Sequence, residues 1–138
     1  MQHFILVTLF KNKMNNNIKY LVGTGINYLV ATALVVSGIL KLFAYEPYNA
    51  MIMELSPYYH DNIYLLGIIA IISGILFALP KTYIFGFIAT LVFLGGTISA
   101  HMQHGDNFSP QIVFVMLTVT SAYLKKNEWF KLEKRPIA

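Results

Sequence analysis

The stretch YLVGTGINYLVATALVVSGIL, residues 20–40, contains no Asp, Glu, Lys or Arg. Residues 62–80, 82–100 and 107–124 share this property. Each is close to the roughly 20 apolar residues that a helix needs to cross a hydrocarbon core about 30 Å thick. Membrane-barrel strands would be shorter and would alternate apolar with polar residues, which these stretches do not. The pattern therefore predicts an all-α protein, a transmembrane antiparallel four-helix bundle. Its spans are expected at about 20–44, 62–80, 82–101 and 108–124.

The composition agrees with a membrane protein. Of the 138 residues, 57% are hydrophobic and only 12% are charged, and the mean hydropathy is +0.59. The length suits one domain, expected at residues 20–126, after a cytoplasmic segment at 1–19 and before a basic cytoplasmic tail at 127–138. The chain has no cysteine, which excludes disulfides, thiolate metal ligands and dithiol redox chemistry within it.

Charge is distributed unevenly between the predicted loops. Lysines precede the first span and fill the tail, and Lys81 occupies the short second loop. The first loop carries Glu46, Glu54 and Asp61, and the third carries Asp106. Because cytoplasmic loops are enriched in Lys and Arg, both termini are expected in the cytoplasm. The basic residues flank the spans, so the pI near 9.3 favours anionic lipid, and not nucleic acid, as their partner.

The first thirteen residues leave two alternatives open. Residues 4–10 form an apolar run that is too short to span, and no small-residue cleavage site follows it. A cleaved signal peptide is therefore not expected. Translation could instead start at Met14, which opens an Asn-rich stretch. Alternatively, residues 1–13 form a short interfacial helix with Lys11 and Lys13 at the lipid head groups.

Small residues recur at four-residue spacing inside the predicted spans. Such pairs let helix backbones approach closely in lipid, so we expect Gly38, Gly74, Gly95 and Gly96 to mediate helix packing. The pairs are Ala33 with Ser37, Ala70 with Gly74, Gly95 with Ser99, and Gly96 with Ala100. The near-identical sequences VVSGIL and IISGIL, beginning at residues 35 and 71, indicate either helix-hairpin duplication or convergence on a common membrane-helix composition.

Lys41 is the one charged residue inside a predicted span. An ionisable group within a span suggests a functional site. At 100° per residue, Ser37 and Asn27 lie on the same helix face, so we expect a polar stripe directed into the bundle. Two alternatives remain for Lys41: its ammonium extends to the outer interface, or it is buried against a carboxylate. Asp106 is the expected partner, with His101 nearby; Glu46, Glu54 and Asp61 are the other candidates.

A second group of polar residues closes the third span. His101 and His104 share a helix face, and Asp106 follows after Gly105. Two imidazoles and a carboxylate could ligate zinc or copper, with His60 and Asp61 as further ligands, but two histidines at this spacing are a weak motif, and no metal is predicted. A quinone or another amphiphile hydrogen-bonded by His101 or Lys41 suits an apolar pocket with few polar groups. Simple interfacial packing of the histidines is the third alternative.

The segments SGILKLF at 37–43 and GTISAHMQHGD at 96–106 resemble motifs of the DoxX-like family of small four-helix bacterial membrane proteins. The resemblance extends from about residue 20 to residue 126. It implies a four-helix bundle in the bacterial cytoplasmic membrane. Some members of that family are subunits of quinone-linked oxidoreductases, including thiosulfate–quinone oxidoreductase, and others belong to oxidative-stress complexes. Related bundles that handle disulfides use cysteine pairs, which this chain lacks.

Two hypotheses follow for function. The first is a membrane subunit of a quinone-linked redox complex, with a polar pocket at the outer end of the bundle formed by Lys41, His101, His104, Asp106, Asn27 and Ser37. No cofactor-attachment motif occurs in the chain, so a soluble or membrane partner would supply the redox centre. The second is a non-catalytic scaffold or assembly factor whose polar cluster only fixes helix packing. A homo-oligomer is compatible with both.

Overall fold

A computed structural model describes the backbone of residues 2–125 and the side chains of residues 15–125. All regular structure in this part of the chain is helical, which confirms the predicted all-α class. The helices are α1 (Gln2–Leu42), α2 (Glu46–Leu55), α3 (Pro57–Asp61), α4 (Ile63–Ala78), α5 (Tyr83–His104) and α6 (Ser109–Leu124). The predicted tail at 127–138 lies outside the described residues.

The four long helices pack as a ring in which α1 and α5 each contact both α4 and α6. Helices α1 and α4 run antiparallel, since Gly38 lies against Gly67, whereas Asn27, earlier in α1, reaches Phe77, which is later in α4. The core of the described residues lies between α1, α4 and α5. It is formed by Val30, Ala31, Leu34, Phe77, Tyr83 and Leu94.

Two helices are long and apolar enough to cross a membrane, namely Asn15–Leu42 within α1 and Tyr83–His104. Helices α4 and α6 have 16 residues each. At 1.5 Å per residue they are about 24 Å long, shorter than the predicted spans. Large apolar side chains nevertheless cover the outer surfaces of α4 and α6, including Ile68, Ile72, Val113 and Met116.

The first loop is more ordered than the sequence indicated. Residues 46–61 form the short helices α2 and α3, which were not predicted. Ala44 adopts a left-handed backbone conformation with φ of 47°, and α2 begins two residues later at Glu46, with Pro47 in its first turn. This sharp turn after α1 lets α2 contact α5 and places Tyr48 beside the last turn of α1.

The four glycines that were expected to mediate helix packing have two kinds of surroundings. A Cβ at Gly38 would lie 2.6 Å from the carbonyl oxygen of Gly67, and one at Gly74 would lie 2.8 Å from that of Ala31. At Gly95 and Gly96 an added Cβ would meet nothing within 4 Å. At these two positions α5 therefore makes no close contact with a neighbouring helix, and an added side chain would meet open space.

Candidate binding cavity

A cavity of about 620 Å³ lies at the end of the bundle where α1 stops and α5 approaches Gly105. Its wall comes from α1, α2, α4, α5 and α6, with one further side chain from α3. Most of this wall is apolar. The polar exceptions are Ser37, Lys41, Tyr48, Tyr59, Ser73, Thr97, His101 and Gln111. The volume falls within the roughly 300–1,000 Å³ that is typical of small-molecule sites.

Lys41 is buried and turned toward the bundle interior, with 5% of its surface exposed. Its Nζ donates hydrogen bonds to Ser37 Oγ at 2.8 Å and to Tyr48 Oη at 3.2 Å. It also lies 4.9 Å from the ring centroid of Tyr48 and 5.6 Å from that of Phe93. The hydroxyls of Ser37 and Tyr48 bond each other at 2.9 Å. Lys41 therefore does not extend to the interface.

The prediction that Lys41 forms an ion pair with Asp106 is wrong. Among the residues whose side chains the structure describes, Lys41 forms no ion pair with any carboxylate. Asp106 instead lies 3.1 Å from His104 Nδ1, on the exposed turn that follows α5. Gly105 caps the end of α5 in a left-handed backbone conformation, with φ of 82°. This conformation reverses the chain and directs Asp106 back toward the histidines.

His101 occupies an intermediate position between this exposed turn and the cavity. Its Nδ1 is 3.7 Å from the Asp106 carboxylate, too long for a hydrogen bond, and has no hydrogen-bond partner among the side chains and backbone that the structure describes. His101 also lines the cavity, whereas His104 does not. Within residues 15–125 no group of three or more His, Cys, Asp or Glu is arranged to hold a metal ion. His60 and Asp61 form a separate contact at 3.9 Å.

Asn27 is buried as expected but does not belong to the same site as Lys41. Fourteen residues along a helix correspond to about 21 Å, so a shared face does not mean a shared location. Asn27 donates to the carbonyl oxygen of Phe77 at 2.9 Å. It accepts a hydrogen bond from Lys125 Nζ at 3.2 Å. The polar stripe of α1 thus serves two sites at opposite ends of the bundle.

Three cavity residues were not identified from the sequence. Tyr48 lies in α2, a helix that was not predicted, and Phe93 resembles any other apolar span residue. Gln111 carried a usable signal, since it is the only side-chain amide in the stretch 108–124. Its Oε1 is buried and accepts no hydrogen bond from the described part of the chain. Because Gln111 and His101 both line the cavity, they can offer hydrogen bonds to a molecule bound there.

The cavity also reaches the outer surface of the bundle. Met51, Ile69 and Val92 line it and are exposed at the same time, Val92 to 71%. These side chains belong to α2, α4 and α5. An apolar molecule could therefore enter from the side of the bundle.

Comparisons with protein-family models, with curated proteins and with solved structures found no match to this chain.

Proposed function

We propose that this chain is a multi-pass protein of the bacterial cytoplasmic membrane, in which α1, α4, α5 and α6 form a four-helix transmembrane bundle with both termini inside. Two apolar helices of membrane-spanning length and the apolar outer surfaces of the shorter helices support this proposal. So does the position of the acidic residues of α2 and α3 at the end opposite Lys81.

Single cysteines test this topology directly, because the natural chain contains none. In intact cells, a membrane-impermeant thiol reagent should label cysteines placed at Asn49 and Asn107 and should spare one at Lys81. All three should react after the membrane is opened. Labelling of the Lys81 position alone in intact cells would invert the proposed orientation.

The bundle is further proposed to bind a quinone-type amphiphile as the membrane subunit of a DoxX-like redox complex. The observation that supports this proposal is the cavity itself. It is mostly apolar, it opens on the outer surface of the bundle, and the buried Lys41 lines it. Amphiphile sites combine such apolar linings with a few fixed polar groups. Lys41 and His101 would hold the polar head group, while a partner protein supplies the electrons.

Purification from the native membrane tests this function. Quinone should be extracted from wild-type protein and from the control Lys81→Met, and much less should be extracted from Lys41→Met. An oxidoreductase should co-purify with all three. Lys81 is a suitable control because it is exposed and lies in the turn at the other end of the bundle. Equal quinone content in the two variants would refute a role for the cavity.

A scaffold is the second candidate, favoured by the buried polar cluster around Lys125 and Asn27, which joins helices directly. Gly96→Leu separates the two candidates. Gly96 lines the cavity, and a side chain there meets open space, so the substitution should obstruct the site without disturbing helix packing. A scaffold would keep its partner and its cellular role in this variant, whereas a quinone subunit would keep its partner and lose its role.

A further inference from the structure

The most unusual feature of the cavity is the electrostatic environment of Lys41. Lys41 is only 5% exposed, yet both of its hydrogen-bond acceptors are hydroxyl oxygens and not carboxylates. The rings of Tyr48 and Phe93 add cation–π attraction but carry no net negative charge. Buried charges in proteins are normally paired, because desolvation of an isolated ion costs several kcal/mol. Within residues 15–125 no carboxylate pairs with this one.

The position of this cation relative to the cavity suggests where its partner comes from. Lys41 contributes to the cavity wall, and Phe93 faces it from α5. His101 and Gln111 also line the cavity and carry buried polar atoms that have no hydrogen-bond partner among residues 15–125. The remainder of the wall is largely apolar and opens beside Ile69 and Val92. A bound molecule that has both a negatively charged group and a hydrocarbon part would therefore match Lys41 and the apolar wall.

We infer that the cavity selects an anionic amphiphile, a molecule with one hydrocarbon tail whose negatively charged head group pairs with Lys41. This inference rests on the proposed function in one respect, namely that the cavity binds an amphiphile. It adds that charge, and not ring shape alone, determines which molecule binds. An acidic hydroxyquinone and a long-chain carboxylate share this chemistry, so both are used as probes.

The test compares two pairs of probes in which only the charge changes. The first pair is a 2-hydroxy-3-alkyl-1,4-naphthoquinone, ionised at neutral pH, and its uncharged 2-methoxy ether. The second pair is dodecanoate and dodecanol. Binding is measured by calorimetry on the full-length protein in nanodiscs of uncharged lipid. We expect the anionic member of each pair to bind at least about tenfold more tightly, as for hydrogen bonds to charged groups in desolvated sites.

Three variants locate the preference. Lys41→Gln should reduce it to less than about twofold, and Lys41→Arg should retain it because the positive charge stays. Lys81→Gln removes the same charge from an exposed position and should bind like the wild type, which controls for the net charge of +4. A preference that survives in Lys41→Gln would overturn the assignment to Lys41. If that variant does not fold, equal binding of the charged and uncharged probes by the wild-type protein would still refute anion selection.

The outcomes separate this inference from the proposed function. Equal binding of the charged and uncharged naphthoquinones would refute anion selection and leave quinone binding intact. A strong preference for dodecanoate, with neither naphthoquinone binding, would support anion selection and refute the quinone-linked role. Absence of binding for all four probes would overturn both.

Discussion

Two lysines are buried at opposite ends of this bundle, and their surroundings differ. Lys125 is 3% exposed and Lys41 is 5% exposed. Lys125 donates to the Asn27 amide and lies 4.3 Å from the ring centroid of Tyr83. Lys41 faces hydroxyls and a cavity of about 620 Å³. Lys125 is not among the residues that line this cavity.

The end with Lys125 is closed by direct contacts between helices. Ser121 donates to the carbonyl oxygen of Gly23 at 2.9 Å and is 3.3 Å from the Tyr83 hydroxyl. The rings of Phe77 and Tyr83 stack with their centroids 5.1 Å apart. Equal burial of two lysines thus corresponds to different surroundings: Lys125 is enclosed by contacts between helices, whereas Lys41 borders a cavity that is also lined by His101 and Gln111.

The largest expected effect follows from a glycine at the closed end. A Cβ on Gly86 would overlap the backbone of Leu76 and Phe77, so α4 and α5 would have to separate. Gly86→Ala should therefore lower the free energy of unfolding by about 3 kcal/mol or more, as severe overpacking does. Titration of the purified protein from mild detergent into SDS measures this change.

Gly95 provides the matched control on the same helix. An added Cβ there meets nothing within 4 Å, so Gly95→Ala should change the unfolding free energy by less than about 1 kcal/mol, on the stabilising side. Similar losses in both variants would show that the two ends of α5 do not differ in packing as described.

The next effect concerns the polar groups of the closed end. Phe77 lies in the last turn of α4, where carbonyls lack an intrahelical donor, and Asn27 supplies one at 2.9 Å. Asn27→Leu removes this donor and one acceptor of Lys125. We expect a loss of about 2–3 kcal/mol in the same SDS titration, because buried polar groups are left unsatisfied.

Ser37→Ala is the corresponding change at the open end. Lys41 keeps its hydrogen bond to Tyr48 and borders the cavity, so the expected loss is at most about 1 kcal/mol. A loss from Ser37→Ala as large as that from Asn27→Leu would contradict the distinction between a closed end and an open one.

The sequence predicted the helical class well because uncharged apolar stretches of this length favour helices strongly. It predicted the first loop poorly. Glu46 and Pro47 begin a ten-residue helix whose inward side is marked mainly by Ile52, a weaker pattern than an apolar span. Missing α2 meant missing Tyr48, and with it the second hydrogen-bond acceptor of Lys41.

The candidate site was predicted in part for a related reason. Helical periodicity correctly predicted that Lys41 and Asn27 face the bundle interior. It does not show how far apart two residues lie along the helix axis, so residues from two separate sites were assigned to one pocket. The pairing of Lys41 with Asp106 was inferred from opposite charge at a similar depth. It failed because Gly105 directs Asp106 to the exposed side of its own helix, a backbone detail that apolar patterning does not report.

A smaller effect is expected from the exposed contact between His104 and Asp106. The two side chains are 42% and 45% exposed, and exposed ion pairs contribute about 0–1 kcal/mol. Asp106→Asn should therefore lower the unfolding free energy by at most about 1 kcal/mol. His104→Gln should give a similar small value, and a loss of several kcal/mol in either would mean that this turn supports the bundle.

The smallest effect is the coupling between Lys41 and Asp106. Since the two residues form no ion pair, their substitutions should act independently. Lys41→Met leaves Ser37 and Tyr48 bonded to each other at 2.9 Å and removes a buried charge that has only neutral partners. Its own effect should lie within about 1 kcal/mol of zero, because the lost hydrogen bonds are offset by the avoided desolvation. In the double variant Lys41→Met with Asp106→Asn, the changes should add to within about 0.5 kcal/mol. A coupling free energy above about 1 kcal/mol would show that Lys41 and Asp106 interact directly. Anion selection by Lys41 would then lose its basis, since the protein itself would supply the counter-ion.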